Sequence, residues 1–243
     1  MDAEFVILPD PEALAHEAAR RFVDLSREAS GSRGRFSVVL SGGSTPGHLY
    51  RLLAGEPYRG QVPWGEVHLF WGDERCVPPG DPGSNYLLAS ETLISHVPIP
   101  SGNVHRVRGE LEPERAARAY ERALQDFFCG PHTRFDLVLL GLGEDGHTAS
   151  LFPGSPVLAE TERLVAVASA VYQDRPAQRV TLTLPAINSA RQILFLVTGR
   201  AKAAVVQSIV EGSGERLPAQ RIQPAAGGLT WLLDAEAARL IGA

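Results

Sequence analysis

Short, fully apolar segments alternate with amphipathic helical segments along almost the whole chain. Several apolar segments are continuous, as in Leu137–Leu140, rather than apolar only at every second position. Strands that are covered by helices on both faces have such continuous runs, whereas half-exposed strands alternate. The sequence therefore predicts an α/β fold, with a Rossmann-like, mostly parallel sheet covered by helices on both faces.

The predicted elements follow one another without an internal repeat or a linker, which predicts a single domain over residues 1–243. Asp10-Pro11 marks the start of the first helix, because a capping carboxylate precedes a proline at the first helical position. The predicted strands are 36–40, 67–71, 137–140, 163–171, 179–184, 193–198 and 228–233, and the predicted helices begin at Asp10 and Thr45 or cover 85–94, 112–128, 201–210 and 235–241.

Composition argues against several classes of protein. A formal net charge of −5 gives no general attraction to nucleic acid or to an anionic membrane. Cys76 and Cys129 lie far apart, so we expect neither a disulfide framework nor a cysteine-based zinc site. The N-terminus lacks the pattern of a signal peptide, and no apolar run approaches the roughly 20 residues of a membrane span. We expect a cytoplasmic protein, and the sequence leaves open whether it is a monomer or a small homo-oligomer.

Polar, glycine-containing loops follow four of the predicted strands, at 41–46, 72–75, 141–148 and 199–202. In open parallel sheets, ligands bind outside the carboxyl ends of the strands. These loops are therefore predicted to converge on one crevice.

The 41–46 loop has the composition of an anion-binding turn. Gly42 and Gly43 let the backbone approach a ligand closely, and Ser44 and Thr45 supply hydroxyl groups. The following helix directs its positive end at the loop, which favours a phosphate. The alternative is an ordinary glycine-rich turn with a threonine cap, since the segment is neither a Walker motif nor a dinucleotide fingerprint.

Three basic residues are further candidates for binding an anion. Lys202 begins a helix after a core strand, and Arg179 begins a strand. Arg75 follows Asp73 and Glu74 directly after another strand, where it could hold a carboxylate or phosphate while Asp73 lies in the pocket. The alternatives are a solvated lysine and a local salt-bridged turn.

Asp145 and His147 are the candidates for proton transfer. They are two residues apart, so in an extended segment both side chains point the same way. Histidine is the side chain most ready to transfer protons near neutral pH. A purely structural histidine is the alternative, but the surrounding glycines and the position after a strand favour catalysis. Either Asp145 or Asp73 could fix the tautomer of the imidazole.

Four motifs resemble, in family order, those of the 6-phosphogluconolactonases and their cousins, the glucosamine-6-phosphate deaminases: LSGGSTP, WGDERCVPPGDPGSNY, GLGEDGHTASLFPG and VTGRAKA. The resemblance implies a cytoplasmic hydrolase that opens the 1,5-lactone of 6-phosphogluconate in the oxidative pentose phosphate pathway. It implies no cofactor and no metal. It also implies that His147 is the general base and that Ser44, Thr45 and Lys202 bind the phosphate, with Arg179 as a further candidate.

Two other functions are possible for a chain with this resemblance. The deaminases have a motif that resembles GHIAFNEPG where this chain has GHTASLFPG. The glutamate of that motif corresponds to Phe152, which cannot transfer a proton. A non-catalytic sugar-phosphate-binding regulator would need a DNA-binding segment, but only one helix precedes the first predicted strand and no basic stripe is visible. The sequence therefore favours the lactonase over a deaminase or a sugar-phosphate-binding module.

Overall fold

The computed structural model describes residues 3–170, 177–212 and 216–242. The strands are β1 (Glu4–Leu8), β2 (Phe36–Leu40), β3 (Val67–Trp71), β4 (Asp73–Arg75), β5 (Leu137–Leu140), β6 (Val165–Ser169), β7 (Gln178–Leu182), β8 (Gln192–Val197) and β9 (Gly228–Asp234). The helices are α1 (Pro11–Arg33), α2 (Ser44–Ala54), α3 (Asn85–Thr92), α4 (Pro113–Phe128), α5 (Leu184–Asn188) and α6 (Ala203–Glu211).

The larger sheet has the strand order β1-β9-β8-β5-β2-β3, and its neighbouring strands pair in parallel. Every residue of the inner strands β2 and β5 is buried. Val38 of β2 lies between Leu69 of β3 and Leu137 of β5 in the register. Burying one such side chain contributes about 1.5–3 kcal/mol, so the centre of the sheet is a stable support for the loops at its edge. The α/β class and the mostly parallel sheet are confirmed.

Helix α1 packs beside this sheet and begins where the sequence predicts. The Asp10 carboxylate accepts a hydrogen bond of 2.8 Å from the Ala13 N–H, and Pro11 is the first helical residue. Phe22 on the buried face meets Phe36 of β2 edge-on, with 5.3 Å between the ring centroids. The cap and the aromatic contact together fix the position of α1 against the sheet.

A second, smaller sheet has the order β4-β7-β6 and is antiparallel. The sequence predicts a loop at 72–75, but Asp73, Glu74 and Arg75 form strand β4 instead. The charged residues indicated a solvated loop and gave no strand pattern. In the structure, however, Asp73 and Glu74 are buried and hydrogen-bonded. The pairing places Arg75 directly opposite Arg179 of β7.

Other departures from the predicted elements lie at the edges of the fold. Strand β1 was not predicted, because it is a five-residue strand at the edge of the sheet in which no residue is fully buried. The predicted helix at 235–241 is wrong: the Ala238 N–H bonds to Asp234 O, the Ile241 N–H bonds to Ala238 O, and the segment forms turns. These two bonds span four and three residues and are not part of a continuous series, so no regular helix forms. The predicted strand 163–171 corresponds to β6, and its last position, Val171, lies outside the described residues.

No helix in the described ranges is long and apolar enough to cross a lipid bilayer.

Candidate active site

The carboxyl ends of β2, β5 and β8, which are neighbours in the sheet, open on one cavity of about 240 Å³. The loops after these strands form much of its wall, and the β4–β7 pair contributes to the rest. The predicted site residues that line the cavity are Gly42, Gly43, Ser44, Thr45, Asp73, Arg75, His147, Arg179 and Lys202.

The loop after β2 leads directly into α2, whose first residue is Ser44. The Tyr50 hydroxyl of α2 accepts a 2.9 Å hydrogen bond from the Ser41 N–H and donates a 2.7 Å bond to Ser41 O. The Thr45 and Thr198 hydroxyl oxygens are 2.8 Å apart, which joins this loop to the loop after β8. The anchored loop thus presents two hydroxyl groups and the start of an eleven-residue helix to the cavity, a combination that suits an anion.

Lys202 reaches the same cavity from the loop after β8. Its Nζ atom is 3.9 Å from Glu144 Oε1, and the Glu144 side chain is 70% exposed. A pair at this distance and exposure contributes little energy, so an anionic ligand can compete for the ammonium group.

Asp73, Arg75 and Arg179 form a charged cluster on another part of the cavity wall. Asp73 Oδ2 accepts a 2.5 Å hydrogen bond from the Ser150 hydroxyl and lies 3.9 Å from Arg179 Nη1. Arg75 Nη1 donates to Gly83 O. The β4–β7 pairing thus holds two arginines side by side near the Asp73 carboxylate.

Glu74 points away from the cavity lining and serves α3. Its two carboxylate oxygens accept hydrogen bonds from the Asn85 and Tyr86 N–H groups, each 2.7 Å long, and from the Ser84 hydroxyl at 3.0 Å. Burial raises the pKa of this carboxyl, although these hydrogen bonds oppose the shift. Glu74 therefore supports the helix that carries Asn85 into the cavity wall.

His147 and Asp145 are in direct contact in the loop after β5. Asp145 Oδ1 is 2.5 Å from His147 Nδ1 and also accepts a 3.2 Å hydrogen bond from the His147 N–H. The two side chains meet across a turn, since the Gly146 N–H bonds to Gly143 O, and not through the extended segment that the sequence suggests. Burial alone would raise the pKa of the Asp145 carboxyl, but its charge and hydrogen-bond interactions with His147 outweigh burial and lower it.

The other candidate partner of the imidazole, Asp73, is instead hydrogen-bonded to Ser150 and Asn85.

The centroid of the Phe152 ring lies 4.7 Å from the centroid of the His147 ring, and the guanidinium carbon of Arg179 lies 5.5 Å from the same Phe152 centroid. Phe152 thus separates two polar groups of the cavity wall with an apolar surface.

Within the described ranges, no group of three or more histidine, cysteine or acidic side chains is arranged to hold a metal ion.

The family model described as "Glucosamine-6-phosphate isomerases/6-phosphogluconolactonase" matches residues 9–231. The chain belongs to this family. Two relatives within it are the 6-phosphogluconolactonases of Synechocystis sp., 43% identical over 216 residues and 86% of both chains, and of Rattus norvegicus, 44% identical over 213 residues, 87% of this chain and 82% of the relative. The solved structure of 6-phosphogluconolactonase from Trypanosoma brucei is similar at a TM-score of 0.88 and 31% identity, and the alignment covers 99% of each chain.

This member of the glucosamine-6-phosphate isomerase/6-phosphogluconolactonase family also has polar residues around the cavity that sequence reasoning missed. Asn85 and Thr198 line the cavity, and Ser150 and Thr181 lie buried behind it. Thr198 is the last residue of the predicted strand 193–198 and lies within VTGRAKA, so the rule that singled out Lys202 at the carboxyl end of this strand applied to it as well. No sequence signal identified Ser150 or Thr181, because both depend on how β7 packs beside the 141–154 segment.

Proposed function

We propose that this protein hydrolyses 6-phospho-D-glucono-1,5-lactone to 6-phosphogluconate, the activity that the names of its relatives indicate. The observation that carries the proposal is the His147–Asp145 contact on the wall of a cavity that also holds Lys202 and two arginines. Proton transfer at one end and anion binding at the other are what a phosphorylated lactone requires.

The phosphate end of the substrate is assigned to the loops after β2 and β8. Ser44 and Thr45 supply hydroxyl donors at the start of α2, and Lys202 supplies a charge from the loop that follows β8. The phosphate takes no part in the chemistry. Its binding energy orients the lactone carbonyl toward His147.

The proton path follows from the tautomer that Asp145 selects. When Nδ1–H is donated to Asp145, neutral His147 carries its lone pair on Nε2. Nε2 takes a proton from water as the water oxygen bonds to the lactone carbonyl carbon. The tetrahedral intermediate then breaks its bond to the ring oxygen, which receives that proton. The new carboxylic acid releases its proton to solvent, and the histidine ends neutral.

The charged and polar groups around this path have distinct roles. The lowered pKa of Asp145 keeps its carboxylate ionised, so it stabilises the imidazolium that forms during water attack. Arg75 and the backbone amides of the 141–148 loop are the candidate donors to the developing oxyanion, and Arg179 is a candidate for a second contact with the substrate.

A glucosamine-6-phosphate deaminase is the alternative within this family. Phe152 argues against it, because its ring packs at 4.7 Å from His147 where the deaminase-like motif has a glutamate. We therefore expect no ammonia release from glucosamine 6-phosphate. As a lactonase, the protein would act in the cytoplasm. It would catalyse the second step of the oxidative pentose phosphate pathway there.

The proposal is tested by separating chemistry from binding. His147→Ala is expected to lower kcat by about 10²- to 10⁴-fold while 6-phosphogluconate still binds, because only proton transfer is lost. Lys202→Ala removes a charge-assisted contact of about 1.5–3 kcal/mol and is expected mainly to raise KM, by about 10- to 150-fold. Turnover is followed in a coupled assay that generates the lactone in situ, and product binding is measured by calorimetry.

The rate without enzyme must be subtracted, because the lactone also hydrolyses unaided. Near-normal turnover in folded His147→Ala would exclude it as the base and direct attention to Asp73 and Asp145. Loss of product binding in His147→Ala as severe as that in Lys202→Ala would make it a ligand-holding residue. Ammonia release at a rate that rivals lactone hydrolysis would overturn the reaction class.

A further inference from the structure

A buried carboxylate behind the phosphate-binding loops has no role in the steps above. Asp234 is the last residue of β9 and is only 2% exposed. Strand β9 neighbours β8, so Asp234 lies beside the loop that carries Lys202. A buried carboxylate is costly unless its charge is compensated. Among the described residues, no lysine, arginine or histidine forms an ion pair with Asp234, so its compensation comes from other donors.

Those donors are backbone N–H groups. Both carboxylate oxygens of Asp234 lie 3.0 Å from Gly199 N. Oδ1 also accepts a 2.7 Å hydrogen bond from the Ala237 N–H. One carboxylate therefore joins the loop after β8 to the turn after β9, and bonds between charged acceptors and backbone N–H groups are among the stronger hydrogen bonds.

Gly199 is the residue at which the chain turns from β8 toward Lys202. Its φ of +94° is unfavourable for residues with a side chain, while a Cβ placed there would meet no other atom within 4 Å. The backbone conformation, and not a lack of space, therefore requires glycine. On one side of Gly199, Thr198 contacts Thr45, and on the other the Lys202 N–H bonds to Gly199 O at 3.0 Å.

We propose that Asp234 is a positioning residue for the phosphate site. It holds the Gly199 peptide in its unusual conformation and turns that N–H away from the ligand, so that the Thr198 hydroxyl and the Lys202 ammonium face the cavity. The inference rests on the proposed function only in taking this cavity as the phosphate site.

The competing explanation is that Asp234 only stabilises the fold by capping the 235–238 turn. A double-mutant cycle separates the two explanations. Asp234→Ala is expected to raise both the KM for the lactone and the Kd for 6-phosphogluconate about tenfold, with kcat changed less than about threefold. In the Lys202→Ala background the same substitution is expected to add less than about twofold, because the ammonium that it misplaces is already absent.

Asp136 provides a control at the opposite end of the sheet. It is also buried, and its Oδ2 accepts a 2.8 Å hydrogen bond from the Ser37 N–H, although it differs from Asp234 in that its Oδ1 pairs with Arg33 and Arg191. Asp136→Ala is expected to lower Tm without changing product Kd. If Asp234→Ala does not fold, Asp234→Asn takes its place. It keeps one acceptor oxygen, so a smaller rise in KM and Kd is expected, again reduced in the Lys202→Ala background.

Each outcome decides one question. Fully multiplicative effects of the Asp234 and Lys202 substitutions on Kd, or an equal rise in Kd for Asp136→Ala, would reduce Asp234 to a stabilising residue and overturn the inference. An unchanged Kd in folded Asp234→Ala, with Kd raised in Lys202→Ala, would overturn it while the proposed function stands. An unchanged KM and Kd in Lys202→Ala itself would instead refute the phosphate site of the proposed function.

Discussion

Replacing Gly143 by alanine should displace the proposed general base, His147, without changing that residue itself. A Cβ atom built on Gly143 would overlap the His147 ring and lie only 2.5 Å from Asp145 Oδ1. The backbone cannot easily swing away, because the Gly143 N–H bonds to His147 O at 2.8 Å and the Gly146 N–H bonds to Gly143 O at 3.1 Å. The imidazole and the carboxylate must therefore move together.

The size of the movement gives the size of the effect. Ordinary contacts of a Cβ atom are about 3.4 Å or longer, so the carboxylate must retreat by roughly 1 Å, and the ring by at least as much. A displacement of about 1 Å in a catalytic group costs about 10²-fold in rate. We therefore expect Gly143→Ala to lower kcat about 10²-fold, with little change in KM because the proposed phosphate loops follow other strands.

The coupled lactone assay and product calorimetry measure both quantities on the same preparation. Gly31→Ala is the matched control, since a Cβ at that exposed helical position meets nothing within 4 Å. It should leave kcat and KM unchanged. If folded Gly143→Ala turns over within about threefold of the parent protein, the close packing of this loop does not limit catalysis and the reasoning is wrong.

Three further predictions concern stability and metal dependence. Gly31→Ala should raise the free energy of unfolding by about 0.5–1 kcal/mol in denaturant titrations, because alanine has a higher helix propensity than glycine at this position in the last turn of α1, and a lower free energy of unfolding would contradict this. Burial and the neighbouring His68 lower the pKa of His105 to about 4. The unfolded chain therefore takes up a proton there near pH 6.5 and the folded chain does not, so stability should fall by about 1–2 kcal/mol, after allowance for solvent screening, as pH drops from 6.5 to 4. His105→Phe should flatten that part of the pH curve, and an unchanged slope would assign it to other groups. Exhaustive chelation should leave lactone hydrolysis intact, whereas a loss that zinc or magnesium restores would show that acidic and histidine side chains of the site bind metal.

The sequence predicted those parts of the molecule that depend on local patterns. Continuous apolar runs such as Leu137–Leu140 exist because both faces of the strand are covered, and that property is visible in the residues themselves. The rule that parallel strands present their carboxyl ends at one edge then located the loops that carry His147 and Lys202.

What the sequence could not predict depends on pairing between distant segments. Arg75 and Arg179 are neighbours only because β4 pairs with β7, and neither strand has an apolar pattern that specifies its partner. The choice between Asp145 and Asp73 as the partner of His147 likewise depended on a turn whose path composition does not determine. The turns at 235–241 were mistaken for a helix, because alanine content indicates propensity but not packing.

The strand order has a consequence for folding of the chain during its synthesis on the ribosome. Glu4 of β1 and Thr230 of β9 pair side by side although they are 226 residues apart. At a synthesis rate of about 5–20 residues per second, β1 leaves the ribosome some ten to fifty seconds before its partner is made. During that interval Phe5 and Ile7 have no partner strand, and β8, once it is made near the end of the interval, also presents an open edge. The nascent chain must therefore keep β1 and the unpaired edge of β8 from pairing with other strands until β9 is made and inserts between them.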